Sequence, residues 1–167
     1  MKPIAEGKRK KIKREFYLEK TIPDPSTVMS AFGFCFSGHK LILVNEDGRG
    51  RDLPGGHREK EEDFTQTVIR EAREEAFIVE KAELVAYRKL ICSEPIPNKH
   101  SGGHYPFPVS YVPQFICTTT LPLQKDGIEE EINDVRAFTL PELAELESHK
   151  QKLYEEIFNI YRRLYHK

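Results

Sequence analysis

The chain has 167 residues, 38% of them apolar and 32% charged, with a net charge of −1. That length suits one domain (1–167) around a single core, and the near balance of charge argues against a nucleic-acid partner. No apolar run approaches the ~18 residues that span a bilayer, and the N-terminus lacks a signal-peptide core. Cys35, Cys92 and Cys117 are odd in number and lack metal-ligand spacing, which predicts reduced, buried thiols in a cytoplasmic protein.

The basic run from Lys8 to Arg14 reads as a solvated edge strand or N-terminal arm (residues 1–15), with a phosphate- or RNA-contacting patch as the alternative. Thr27–Phe36 alternates apolar with small residues and predicts a strand. Lys40–Val44 predicts a second strand across a Ser37-Gly38-His39 turn, and Asn45–Gly50 a loop. A helix follows over 64–76, then strands over Ala82–Cys92 and Val109–Thr120. Between those strands, residues 95–108 hold four prolines, two glycines and two histidines. Val135–Leu140 predicts a short last strand, Pro141 opens a short helix, and a final helix starts near Ser148. Its stripe of Leu153, Ile157, Ile160, Tyr161 and Leu164 suits core packing or a homodimer face rather than a ligand site. Strands on both sides of one helix, closed by a second, fit an α/β/α sandwich with a mixed sheet between the two helices.

The chemistry concentrates in residues 53–78. Leu53-Pro54-Gly55-Gly56 is a tight turn whose glycines let backbone groups approach an ion or a phosphate. Asp63 reads as an N-cap, with Gln66 completing a capping box, so the helix begins near Phe64. Its apolar stripe is Val68, Ile69, Ala72 and Ala76. Glu71, Glu74 and Glu75 stand at i, i+3 and i+4, on one helix face beside that stripe. Like charges at that spacing weaken an isolated helix; a hard dication bound among them would reverse the penalty. A solvated, salt-bridged face is the plain alternative, since Arg70 and Glu74 form an i,i+4 pair. The glycine turn favours the metal reading, because a purely structural helix has no need of it.

The stretch resembles the Nudix box, the signature of the Nudix hydrolases. Gly56, Glu62, Arg70, Glu71, Ala72, Glu74, Glu75 and Ile78 occupy the box positions, and Pro54-Gly55 follows the family habit just outside it. Phe77 stands where the family has glycine, and Arg51 where it often has an aromatic residue. The resemblance implies a Nudix-like α/β/α sandwich and a pyrophosphohydrolase. Its substrate class is a small-molecule nucleoside diphosphate linked to another moiety, and its cofactor Mg²⁺ or Mn²⁺.

On that resemblance, Gly55, Glu71, Glu74 and Glu75 would hold the metal. Glu74 would act as general base, with Glu71 not separable from it, and Arg70 would orient a glutamate. Gly56 and Glu62 would shape the turn, Glu62 either as an outer ligand or as an anchor. A further acid is expected from Glu129, Glu130 or Glu131, with Glu129 and Glu130 ahead and Glu130 chosen for the metal set. His100, His104, Tyr105 and Phe107 give the proline-rich loop rings to stack on a base and donors for phosphate; a loop that merely covers the core is the rival. Two other functions remain open: a non-catalytic nucleotide-binding module of the same fold, and an isoprenoid diphosphate isomerase, which would need a placed cysteine such as Cys92 or Cys117. Selectivity among nucleotide substrates lies in loops that one sequence does not decode.

Overall fold

Alternation along three strands builds two cores, one on each face of a sheet. In β3 (Ser30–Ser37) and β4 (Lys40–Glu46), Phe34, Phe36, Leu41 and Leu43 face one side, while Ala31, Cys35, Ile42 and Val44 face the other. β8 (Val109–Thr120) divides in the same way, Ile116 against Phe115 and Cys117. Period-two alternation with both faces apolar is what a sheet covered on both sides requires. The computed structural model describes residues 2–46, 50–75, 78–99, 102–120 and 132–165.

The remaining strands are β1 (Ala5–Arg9), β2 (Ile12–Tyr17), β5 (Gly50–Asp52), β6 (Gly55–His57), β7 (Ile78–Cys92) and β9 (Ile132–Phe138). Their order is β1-β2-β7-β8-β3-β4-β5, with β6 on β3 and β9 on β4. β3 and β8 run parallel and the other pairs antiparallel, so the sheet is mixed, as expected. β3 and β4 pair only at Phe36↔Leu41 and Ser37↔Lys40 before they part. The freed edge of β3 takes β6, and that of β4 takes β5. The turn at Leu53-Pro54 therefore lies in the fork of the sheet.

Helix α1 (Phe64–Glu74) covers one face with Val68 and Ala72; α2 (Leu140–Leu146) and α3 (Gln151–Tyr165) cover the other. Burying a side chain such as Val68 contributes about 1.5–3 kcal/mol. On α3, Ile157 and Tyr161 are buried as the stripe predicts, joined by Tyr154 and Phe158, while Leu153, Ile160 and Leu164 pack at the margin. The ring of Tyr161 stacks on Phe36 at 3.9 Å, and its hydroxyl donates to the Gly38 carbonyl at 2.6 Å. The stripe is core.

Several expectations need correction. Ile69 is 39% exposed, and the buried face of α1 runs through Thr67, Val68 and Ala72 instead. Thr67 takes the place because its hydroxyl donates to the Asp63 carbonyl and the Glu62 carboxylate, both at 3.0 Å; a polar residue so satisfied is buried at little cost. β3 starts at Ser30, because Asp24 caps a 3₁₀ turn at Pro25–Thr27 by accepting from the Ser26 amide (3.1 Å). β4 runs on to Glu46, and β7 begins at Ile78, its early alternation hidden by Glu80, Lys81 and Glu83 and broken by irregularities after Val79 and Leu84. The basic run lies on the β1–β2 hairpin, with β1 at the sheet edge. All three cysteines are free and buried.

Candidate active site

The site begins with two glycines that admit no side chain. Gly55 has φ +144°, and a Cβ there would lie 2.6 Å from Phe32 Cα and collide with the Ala31 carbonyl. The neighbouring turn is fixed by the Gly33 amide, which donates to the Pro54 carbonyl at 2.8 Å. At Gly56 a Cβ would lie 2.5 Å from the carboxyl carbon of Glu71. The glycine strand is thus a cradle, bare on the side where α1 presents its acids.

α1 is set against this strand by its ends. The expected capping box is present: Asp63 accepts from the Gln66 amide and the Gln66 side chain accepts from the Asp63 amide, both at 2.8 Å. Helix α1 closes at Glu74 with Glu75 as C-cap; Ala76 and Phe77 lie outside the described residues. Glu75 is 4% exposed and accepts from the Gly55 amide at 3.2 Å. The Glu71 side chain is 14% exposed, and Glu74, at 36%, is the most open of the three.

Arg70 ties these groups together. Its Nε donates to Glu62 at 2.8 Å, Nη1 to Glu74 at 2.8 Å and Nη2 to the His57 carbonyl at 2.7 Å, and Glu71 lies 3.0 Å from Nη2. The planar fork of guanidinium suits such bidentate contacts. The hydrogen bond to Glu62 above all, then the nearby charges of Glu71 and Glu74, hold the guanidinium proton more tightly than usual against the opposing effect of burial. The same bond is the main reason that the Glu62 carboxyl is drawn down to about 2. Glu62 also accepts from the Glu59 amide and the Thr67 hydroxyl, both at 3.0 Å. Its oxygens are therefore occupied by the turn and by Arg70.

Carboxylate oxygens beside a bare glycine backbone are the donor chemistry that a hard divalent cation takes. Among the described residues, no three acidic, histidine or cysteine side chains are already gathered as a cation cage. Arg70 supplies the positive charge between Glu71 and Glu74, and a cation would share them with it.

Among the described loop residues, Tyr105 reaches the glycine strand: its hydroxyl lies 2.7 Å from Nε2 of His57, the residue after Gly56. The loop is stitched by Tyr105 to Ile96 and by Asn98 to Gly103 backbone bonds (2.9 and 2.8 Å). His104 is exposed and Phe107 is 49% exposed. His100, Glu129, Glu130 and Glu131 lie outside the described residues. His57 itself was not apparent in the sequence; its place directly after the glycine pair was the available signal.

The model of the NUDIX domain family matches residues 27–162. The chain belongs to the Nudix family of hydrolases. No curated protein matches the sequence. Among solved structures, the fold is similar to that of the Bacillus subtilis pyrophosphohydrolase BsRppH, with a TM-score of 0.64 and 17% identity over 90% of this chain and 96% of that one. It is also similar to a Nudix-family hydrolase from Clostridium perfringens, with a TM-score of 0.56 and 17% identity over 79% of this chain and 96% of that one. At these identities the likeness concerns the fold.

Proposed function

We propose that the protein is a divalent-metal-dependent hydrolase of a nucleoside diphosphate linked to another moiety, and that it cleaves a phosphoanhydride bond with water. The observation that carries this reading is the Glu71 carboxylate seated on the bare backbone of Gly56 while Glu75 holds the Gly55 amide. In this reading Gly55, Glu71, Glu74 and Glu75 hold Mg²⁺ or Mn²⁺, with Glu130 as the candidate for a further ligand. Such an ion, when bound, supplies charge neutralisation for the diphosphate and acidifies water.

The chain's own groups do the rest. Glu75, buried on the Gly55 amide, fixes the glycine strand. Glu74 is the general base, since it is the most open carboxylate and Arg70 engages one of its oxygens; Glu71 is next in line. The water oxygen bonds to phosphorus, its proton passes to the base, and the bridging oxygen leaves on a phosphate. Arg70 is a positioning residue, holding Glu62, Glu71 and Glu74 around the His57 carbonyl. Tyr105, with His104 and Phe107 farther out on the same loop, forms a wall for the nucleoside.

Pyrophosphate-linked nucleotides of varied second moiety, offered with Mg²⁺ and with Mn²⁺, should yield nucleoside monophosphate or phosphate from at least one. Tight binding across the panel without turnover would replace this reading with that of a nucleotide-binding module.

A further inference from the structure

On the α3 face of the sheet a cavity of about 510 Å³ is lined by Arg14, Arg88 and Gln114 among Phe34, Leu53 and Tyr154. Arg14 on β2 and Arg88 on β7 are diagonal neighbours, Arg14 standing opposite Leu90 and Arg88 opposite Phe16. The Nε of each is buried without a hydrogen-bond partner, and neither guanidinium forms an ion pair among the described residues. Burial, chiefly, makes Arg88 easier to deprotonate than usual; the Asp52 charge opposes that and the Arg14 charge adds to it.

Four carboxylates also line the cavity, Glu6, Glu15, Asp52 and Glu147, and none makes a hydrogen bond or ion pair with Arg14 or Arg88; Glu6 lies 3.7 Å from Lys13. Glu15 takes Lys13 (2.7 Å) and the Tyr17 hydroxyl (2.9 Å), Glu147 takes Lys150 (2.6 Å) and the Tyr154 hydroxyl, and Asp52 takes the Leu53 amide (2.8 Å). Among the described residues Arg88 makes one long hydrogen bond, 3.4 Å to the Gln114 oxygen. That oxygen is turned toward it because the amide nitrogen donates to the Val112 and Pro113 carbonyls (3.3 and 3.1 Å). Two guanidiniums set side by side in a half-buried wall, each with its Nε buried, repel each other unless an anion joins them.

The cavity adjoins the glycine strand. Phe32 pairs with Gly55, and the Arg88 guanidinium carbon lies 5.2 Å from the centroid of the Phe32 ring. Leu53, in the cavity wall, precedes Gly55 by two residues, about 7 Å of extended chain. We infer that this cavity is a subsite for a second anionic group of the substrate, a phosphate or carboxylate on the moiety attached to the diphosphate, bound between Arg14 and Arg88. The assignment of that anion to the substrate rests on the hydrolase reading above, and it selects substrates with a charged rather than an apolar second moiety.

The binding test uses inorganic phosphate and pyrophosphate in EDTA, followed by calorimetry. Without metal the carboxylates of α1 repel these anions, so binding reports the cavity. The wild type should bind, and Arg14→Gln and Arg88→Gln should each weaken binding at least ~10-fold, the scale of a lost charge-assisted contact. Lys20→Gln, on the surface away from the cavity, should bind like the wild type. If Arg88→Gln does not fold, Arg14→Gln and Arg14→Lys carry the test. No binding, or binding that both arginine changes leave intact, overturns the subsite.

A second arm separates the substrate's own anion from a free one. With the best substrate and Mg²⁺, phosphate should raise KM without lowering kcat, and Arg14→Gln should remove that competition. A fall in kcat at saturating substrate would mark an effector site and overturn the assignment to substrate. Failure of the hydrolase reading is a distinct result: Glu71→Gln would turn over normally whatever the calorimetry shows.

Discussion

The two faces of the sheet hold opposite electrostatic arrangements. On the α1 face a single guanidinium, Arg70, is enclosed by Glu62, Glu71 and Glu74, and the carboxylates outnumber it. On the α3 face two guanidiniums, Arg14 and Arg88, stand on diagonal positions of neighbouring strands, and among the described residues no carboxylate forms an ion pair with either. One face has room for further positive charge and the other for negative charge, which is what a metal-bound anionic substrate brings. The fork between β3 and β4 joins the two faces at the Leu53–Gly56 turn. Charge that is unbalanced within the protein is therefore informative about the ligand, whereas balanced surface pairs such as Lys11–Glu94 and Lys20–Glu83 say little.

The largest effect is expected on the acidic face. Glu71→Gln or Glu75→Gln keeps the volume and removes a charge, and kcat should fall on the order of 10²-fold or more with little change in the urea midpoint. Near wild-type turnover in both variants would remove the acidic face from the chemistry. Gly56→Ala inserts a methyl where Glu71 lies, and activity should fall by more than ~10-fold, since a shift of about 1 Å at a catalytic group is costly. Unchanged kinetics would show that Glu71 can move without consequence.

Arg70→Ala leaves carboxylates facing one another and should cost roughly 2–3 kcal/mol by urea denaturation, less than the 3–5 of a fully buried pair because Arg70 is partly exposed. Arg70→Lys should recover only part, as an ammonium lacks the fork. Loss of less than ~0.5 kcal/mol in the alanine variant would mean that the network is a surface one.

A smaller effect concerns pH. The Glu62 carboxyl is lower in the folded state (about 2, from 4.5), mainly through Arg70. Its contribution is therefore complete above 4.5 and lost as pH falls from there toward 2. Glu62→Gln should flatten that limb of the stability curve; an unchanged slope would deny the pairing. The smallest effect is at Tyr105→Phe, which removes the contact to His57. It should cost about 1 kcal/mol and raise KM more than it lowers kcat; a stability loss with unchanged KM would make the loop a cover for the core.

The sequence made the local chemistry of α1 legible, because capping and helical spacing are short-range: Asp63, Gln66 and the Glu71, Glu74, Glu75 face are where spacing puts them. The order of strands and helices likewise pointed to a mixed sheet covered on both faces. What the sequence hid depends on side-chain hydrogen bonds and on partners brought together by strand register. Ile69 looked buried because an apolar-stripe reading passes over Thr67, whose hydroxyl is satisfied four and five residues back at Asp63 and Glu62. Arg14 and Arg88, 74 positions apart in the numbering, become neighbours only through the β2–β7 register, and Arg14 read as one more member of a solvated basic run. His57 acquires its meaning from Tyr105 across the proline-rich loop.

The central claim is that the acids of α1 and the glycine strand form a divalent-cation site, and it can be tested without knowing the substrate. Mn²⁺ binding to the chelator-stripped protein, followed by the loss of the free-ion electron paramagnetic resonance signal, should saturate in the wild type. It should weaken at least ~10-fold in Glu71→Gln and in Glu75→Gln, each of which removes one ligand charge. Isotherms that coincide for all three proteins would contradict the account.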